Sequence, residues 1–414
     1  MTAATREEKI FGQPLDGGPF NGVFMLDPVE KVILGPGAVQ NLAAELERVG
    51  ATRVLLVTGN TLATKTDLVD RVRGLMGDKC VGVYHKTVQH VSRGSLLEAV
   101  KVARDLEIDA VVSFGGGSPI DTAKAIAMCL NQGVHSTEDL DPLRLVLTDG
   151  NLSVPAMEGD MIPHIAISTT LSAGEFTGFA GVTDPVHMRK DAYGSPTMVP
   201  KTVILDPELT TATPDWLWAS TGLRAVDHCV ETVCSIAPQP FADALALKAL
   251  EMLATALPRS VENPADMVAR SACQAAVHMS IFSLGMIPFG MCHGIGHQLG
   301  ARCDVPHGAC SAVMLPEVMD YNRPLTAGRQ RLLAEAVGID TSGMSDKEAA
   351  ASASQWVRDL VVRLGIKNRL SDYGVADGDL IGVATDAVED FMNATNPMPV
   401  NDPVVIEGLL RRVL

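Results

Sequence analysis

Apolar positions along this chain follow two rhythms, which change over near residue 206. In the first, short continuous runs of Val, Leu and Ile alternate with amphipathic stretches. EKVILGPGAV reads as a strand ending at a Gly-Pro turn, and NLAAELERVG as a helix stopped by Gly50. TRVLLVTG is a buried strand, TKTDLVDRVRGLMG a helix, KCVGVYHKTV a strand and SLLEAVKVARDLEI a helix. DAVVSFGGGS is a strand running into glycines, PIDTAKAIAMCL a helix, and HIAISTT and KTVILDPEL are two further strands. Strands apolar on both faces, alternating with helices, imply a parallel sheet covered on both sides. After Pro214 the strand signals stop, and WLWASTGLRAVDHCVETVCS, FADALALKALEMLATAL and MVARSACQAAVHMSIFSLG carry helical text. The pattern predicts an irregular arm over 1–28, an α/β domain over 29–206 and an all-helical domain over 207–414. Between 134 and 162 the rhythm lapses into polar, acidic, Pro/Gly-bearing text that reads as a long loop or flap.

Composition narrows the function. A length of 414 residues suits two domains, and 47% hydrophobic with 20% charged residues is globular. A net charge of −16 argues against a nucleic-acid groove or an anionic membrane surface, both of which need a basic patch. No apolar run is long enough to span a bilayer, and MTAATREEKIFGQPLDGGPF lacks the apolar core of a secretory signal. None of the eight cysteines forms a CxxC pair, which predicts reduced, mostly buried thiols and a cytoplasmic protein.

The stretch FGGGSPIDTAKAIA follows a strand and opens a helix. Glycines there allow close backbone approach, and free N–H groups with the helix dipole favour a pyrophosphate. Ser118 adds a donor or caps the helix, and Asp121 lies in its first turn. Neither the GxGxxG fingerprint nor a P-loop is present; a tight strand-to-helix turn is the plain alternative. STTLSAGEFTGFAGVTD clusters hydroxyls at Ser168, Thr169, Thr170 and Ser172 just after a strand, where ligands bind in this class of fold, or where a Ser/Thr cap sits.

GMCHGIGHQLGARCDVPHGAC places His293 and His297 on one helix face and His307 ten residues later; His228 stands earlier in GLRAVDHCVE. Neutral imidazoles in such number could hold a divalent metal with a position left open, although each taken singly is a plausible core histidine.

Together GGGSPIDTAK, TTLSAGEF, VILDPELT, GLRAVDHCVE, CHGIGHQLGARCDVPHG and NPMPVNDP resemble the iron-containing (group III) alcohol dehydrogenases, from about residue 30 to the C-terminus. Within that family TTLSAGEFTGFAGVTD is most similar to the maleylacetate reductase-like branch. The resemblance implies a dehydroquinate synthase-like architecture: an α/β dinucleotide-binding domain, an all-helical domain and an active site in the cleft between them. It implies hydride transfer between NAD or NADP and a small carbonyl or alcohol substrate, and a homodimer. By motif position Gly115, Gly116, Gly117, Ser118 and Asp121 fall on the cofactor loop, Thr169 and Thr170 on its pyrophosphate and nicotinamide side, and Lys190 near a ribose. His297 matches a histidine beside the reacting carbon, a candidate for proton relay. His228, His293 and His307 match three of the family's four metal ligands, for iron or zinc. His278 is expected to be a core or supporting residue.

The sequence departs from that family at Arg224, where the metal-using branch has an aspartate. A guanidinium has no lone pair for a metal and stays protonated. Asp227, adjacent to His228, is expected to point about 100° away from it and to be a poor substitute. Three outcomes stay open: a metal-free site in which Arg224 and His293 polarise the carbonyl or grip a carboxylate, a three-histidine metal site with Arg224 turned aside, or Arg224 as a packing residue. The first suits the reductase branch, whose substrate is a keto-diacid. At the end of the second strand Gly59 and Asn60 stand where an acid would exclude NADP, and Thr61 or Lys65 could favour it. The flap and FSLGMIPF are expected to shape the substrate pocket. A metal-dependent alcohol or aldehyde dehydrogenase, a dehydroquinate synthase-like lyase and a non-catalytic nucleotide-binding protein are the alternatives.

Overall fold

The computed structural model describes residues 29–148, 151–187, 189–282, 284 and 287–414. The expected arm over 1–28, and residues 283, 285 and 286 of the expected pocket wall, lie outside them.

The chain divides into two compact units between Pro214 and Asp215. The first carries strands β1 (Lys31–Leu34), β2 (Val54–Gly59), β3 (Cys80–Thr87), β4 (Ala110–Gly115), β5 (Val146–Thr148), β6 (Asn151–Ser153), β7 (His164–Ser168), β8 (Phe179–Asp184), β9 (Arg189–Gly194) and β10 (Thr202–Leu205). Its helices are α1 (Leu42–Arg48), α2 (Asn60–Lys65), α3 (Leu68–Met76), α4 (Arg93–Asp105), α5 (Gly117–Asn131) and α6 (Pro207–Thr210). Six strands form a parallel sheet in the order β1-β10-β7-β4-β2-β3. The continuous apolar runs are the central strands: every residue of β4 and β7 is buried, and two apolar clusters cover the two faces. From β2 the chain goes to the edge at β3, then crosses back to β4 on the other side. The carboxyl ends of β2 and β4 therefore flank a topological switch point, the usual ligand crevice of such sheets.

Three features differ from the sequence expectation. The boundary falls at 214/215 and not at 206/207. Asp206 caps α6, and its carboxylate also accepts from Gly37 N at 3.2 Å and Val39 N at 3.1 Å. Leu209 enters the sheet's core and Thr213 Oγ1 donates to Thr169 O at 2.8 Å, so this connection belongs to the first unit. The expected flap contains a 3-10 turn, Glu138–Leu143, and the antiparallel pair β5–β6. The text after the hydroxyl cluster forms a second antiparallel ribbon, β8–β9.

The second unit is helical among its described residues: α7 (Asp215–Val233), α8 (Pro240–Glu262), α9 (Met267–Ile281), α10 (Met291–Cys303), α11 (His307–Ala336), α12 (Asp346–Arg363), α13 (Leu380–Glu389) and α14 (Pro403–Arg412). Helix α7 is buried on all sides from Trp218 to Val233, as a central helix must be. Its polar residues Arg224, Asp227, His228 and Glu231 are therefore all inside the protein.

Candidate functional site

In the first unit the glycine loop joins β4 to α5. Gly115 has φ +144°, a conformation that favours glycine, and Gly116 is the N-cap of α5 with no side chain capping the helix. A Cβ on Gly116 would lie 2.9 Å from Thr170 Cγ2, and one on Gly117 would lie 3.4 Å from Ser172 Oγ. Thr169 N donates to Gly115 O at 2.9 Å. The glycine loop and the hydroxyl cluster are thus neighbours at the carboxyl ends of β4 and β7. Uncapped N–H groups at the start of a fifteen-residue helix, with hydroxyls alongside, suit the phosphates of a dinucleotide. Asp121 has a structural partner: its carboxylate accepts from Gly181 N at 3.3 Å, with Lys124 and Lys190 nearby, and desolvation still raises its pKa. Lys190 crosses the face of Gly181, where a Cβ would strike its Cε. Lys124, which the sequence did not single out, donates to Gly174 O at 2.5 Å and Phe179 O at 2.8 Å. It ties α5 to the segment after the hydroxyls.

In the second unit α7, α10 and α11 bring together a buried polar cluster. Arg224 Nη1 donates to Asp227 Oδ2 at 3.2 Å and to Ser311 Oγ at 2.9 Å; Ser311 Oγ in turn donates to Asp227 Oδ2 at 2.7 Å. Cys292 Sγ lies 3.4 Å from the same oxygen. Asp227 was expected only as a poor substitute ligand, pointing about 100° away from His228. It is three residues from Arg224 and on the same helix face, and its carboxylate reaches across to within 3.7 Å of His293 Nδ1. His293 Nδ1 is hydrogen-bonded to Glu231 Oε2, while Glu231 Oε1 accepts from Cys292 N at 3.0 Å. Burial drives His293 well below its ordinary pKa and lifts Glu231 to about 7, so both move toward their neutral forms. Burial likewise raises Asp227, against the pull of His293 and Arg224.

The histidines separate into two groups. His228 stacks on Phe289 with ring centroids 5.7 Å apart, and lies 5.4 Å from His293; burial keeps it neutral. His297 and His307 are 5.7 Å apart, and His297 Nδ1 is hydrogen-bonded to Asp390 Oδ2 at 2.9 Å. His278 is half-buried and meets Phe282 edge-on, as a supporting residue would.

His228, His293 and His307 do not gather their ligand atoms into one set; among the described residues the group with ligand atoms all within 4.8 Å is Asp227, Glu231 and His293. That group fits a divalent ion poorly. Asp227 is bonded to a guanidinium, and His293 has its Nδ1 on Glu231. With the Glu231–His293 pair neutral, Arg224 already balances Asp227. A dication would add two uncompensated charges beside a guanidinium in a desolvated site. Glu231, Ser311 and Asp390 were missed in the sequence, and Asp227 was weighed there only as a substitute ligand. Their recognisable signal was polar side chains on an otherwise apolar helix, which marks a buried network without naming its partners.

Comparison with known proteins agrees with the two-unit architecture. Residues 29–207 match the iron-containing alcohol dehydrogenase domain, and residues 218–413 match the C-terminal domain of the Fe-containing alcohol dehydrogenase family. A lactaldehyde reductase of Escherichia coli K12 is 32% identical over 390 residues, 91% of this chain and 96% of that protein. The crystal structure of a 1,3-propanediol oxidoreductase is similar with a TM-score of 0.85 and 27% identity, covering 94% of this chain and 100% of the other. A maleylacetate reductase from Agrobacterium tumefaciens is similar with a TM-score of 0.76 and 25% identity, covering 95% and 98%. The chain therefore belongs to the iron-containing alcohol dehydrogenase family and is an oxidoreductase of that family.

Proposed function

We propose that this protein is an NAD(P)-dependent carbonyl reductase that works without a metal, with the Arg224 guanidinium in place of the family's cation, and that it takes a small keto acid of the maleylacetate kind. The observation that carries this reading is the buried triangle of Arg224, Asp227 and Ser311. A fixed positive charge held by two partners is a preorganised stabiliser for negative charge developing on a carbonyl oxygen. Arg224 commits Nη1 to those partners, which leaves the other guanidinium donors for a substrate oxygen or carboxylate. His293 supports the same oxygen as a neutral donor, and His297 supplies the proton. Gly115, Gly116, Gly117, Ser118, Thr169 and Thr170 would hold NAD(P)H, which would supply the hydride. Lys190 and Asp121 support the glycine loop and hydroxyl cluster within the first unit. The absence of an acid at Gly59–Asn60 admits the 2′-phosphate of NADP.

A second reading, a metal-dependent alcohol dehydrogenase, is favoured by the spacing of Asp227, Glu231 and His293 alone. One experiment separates the two: metal content by elemental analysis, with NADH and NADPH oxidation followed on maleylacetate and on a simple aldehyde before and after chelation. Substoichiometric metal with chelator-resistant reduction of the keto acid supports the guanidinium. A stoichiometric metal, and loss of activity on chelation, overturns it.

A further inference from the structure

We infer that Asp390 is a positioning residue that fixes the tautomer and ring orientation of His297, so that Nε2 is the atom that exchanges a proton with the substrate oxygen. The inference rests on the proposed role of His297 and adds to it a partner 93 residues away in the chain.

The Asp390 carboxylate is met by three donors. Oδ2 accepts from His297 Nδ1 at 2.9 Å and from Gln298 Nε2 at 3.1 Å, and Oδ1 accepts from Met392 N at 2.9 Å. Met392 N is a fixed backbone donor and Gln298 offers its amide hydrogens, so the carboxylate is an acceptor on both oxygens. His297 must then carry its hydrogen on Nδ1, which leaves the Nε2 lone pair available. The geometry is held from both ends. Asp390 follows the last turn of α13 and its own carbonyl accepts from Asn393 N at 2.9 Å. Gly294, one turn before Gln298 on α10, lies against this segment: a Cβ there would be in ordinary contact, 3.5 Å from Asp390 Cβ and 3.4 Å from Asn393 N. The Asp390 side chain is 7% exposed and that of His297 20%, so the ring is the wetter end of the pair.

The buried pair one turn earlier, Glu231 with His293, has the same connectivity and a different setting. Its side chains are 6% and 5% exposed, and Phe289 packs on the His293 ring at 4.5 Å. Of the two carboxylate–imidazole pairs on α10, the His297 pair is the one with access to solvent for proton return.

In the reducing direction a bound reduced nicotinamide would supply the hydride to the carbonyl carbon and be oxidised; the C=O π pair becomes a lone pair on oxygen and takes the proton from His297 Nε2. The imidazolium becomes the neutral Nδ1–H form that Asp390 already holds, and water returns a proton to Nε2.

The test is Asp390→Asn. An asparagine must turn its amide toward one of the three donors. Facing His297 and Gln298 it opposes the Gln298 amide and imposes the opposite His297 tautomer, and facing Met392 N it sets one donor against another. We expect kcat to fall about a hundredfold or more, with the NADH dissociation constant within about twofold. The double variant Asp390→Asn/His297→Ala is expected to be no slower than His297→Ala alone. A kcat within threefold of the wild type, or losses that multiply in the double variant, would overturn the inference. A readout independent of turnover is the nitrogen NMR of protein labelled at histidine, with the His297 signal assigned by its loss in His297→Ala. Protonated Nδ1 and bare Nε2 in the wild type support the role, and the reverse refutes it, even if Asp390→Asn fails to fold. Wild-type protein that reduces no carbonyl would sink the proposed function, while the NMR result would still decide the tautomer.

Discussion

Arg224 and Asp227 are bonded at 3.2 Å within one buried helix, and Ser311 from a second helix closes the triangle. The sequence made Arg224 an intruder in a metal site. The structure supplies its counter-charge one helical turn away, with the Asp227 side chain wholly buried. A guanidinium buried against a built partner depends on that partner, and the partner on it, because either charge left alone inside the protein is costly.

Arg224→Met should therefore destabilise the helical unit by about 3 kcal/mol at pH 8, because it leaves Asp227 buried without its cation. Burial already raises the Asp227 pKa, and losing Arg224 raises it further. A folded pKa above the unfolded one means that the native state holds a proton the unfolded chain releases. Stability then declines as pH rises from the unfolded value, near 4, through the folded value. The variant's deficit should be smaller at pH 5.5 than at pH 8 in parallel urea titrations. An equal deficit at both would mean that Asp227 does not depend on Arg224.

How far the chain disclosed this arrangement depends on the range of the interactions. β2 and β4 were legible because parallel strands buried on both faces need unbroken apolar runs. The glycine loop was legible because Gly115 takes a backbone conformation that few other residues share. The ribbon β8–β9 was not: its buried positions Ala180, Val182 and Asp184 alternate, but one is small and one is charged, so the period-two signal is faint. The contacts of Asp227 with Arg224 and Ser311 were not foreseen because helix geometry gives the direction of Cβ and not the reach of a carboxylate. The pairing of Asp390 with His297 spans 93 residues, and no local spacing rule encodes it.

His164, at the start of β7, should make the α/β unit acid-sensitive. Its Nε2 is 2.8 Å from Ser113 Oγ, its Nδ1 has no hydrogen-bond partner among the described residues, and burial lowers its pKa to about 3. Between the unfolded pKa near 6.5 and that value the unfolded chain binds the proton and the native state does not. Stability should therefore fall as pH drops from about 6.5 toward 3, by several kcal/mol in total. His164→Asn should start from lower stability at pH 7.5 and lose less on going to pH 5. If wild type and variant lose equally, His164 is not the source of the slope.

His297→Ala should lower kcat for the preferred carbonyl about 10²- to 10⁴-fold, the usual weight of a positioned proton donor. Cofactor affinity should change little, because the residues proposed to hold NAD(P)H belong to the first unit. Fluorescence titration with NADH, beside steady-state kinetics, checks both halves. Unchanged turnover would remove His297 from the mechanism.

Gly116→Ala tests whether the glycine loop is a cofactor cradle or only a turn. Its Cβ would lie 2.9 Å from Thr170 Cγ2, closer than real contacts permit, and a tight 3.1 Å from Thr170 Oγ1. The threonine or the loop must shift, and both are proposed to line the phosphates. NADH affinity should weaken about tenfold, equivalent to about 1.4 kcal/mol. Thr170→Ser removes the methyl that is struck first and keeps the hydroxyl, which is 3.3 Å from Ser172 Oγ. The double variant should recover most of the lost affinity. Recovery would establish that steric pressure on Thr170 causes the defect. If Gly116→Ala binds NADH normally while its melting temperature falls, the three glycines serve the strand-to-helix turn and the cofactor lies elsewhere.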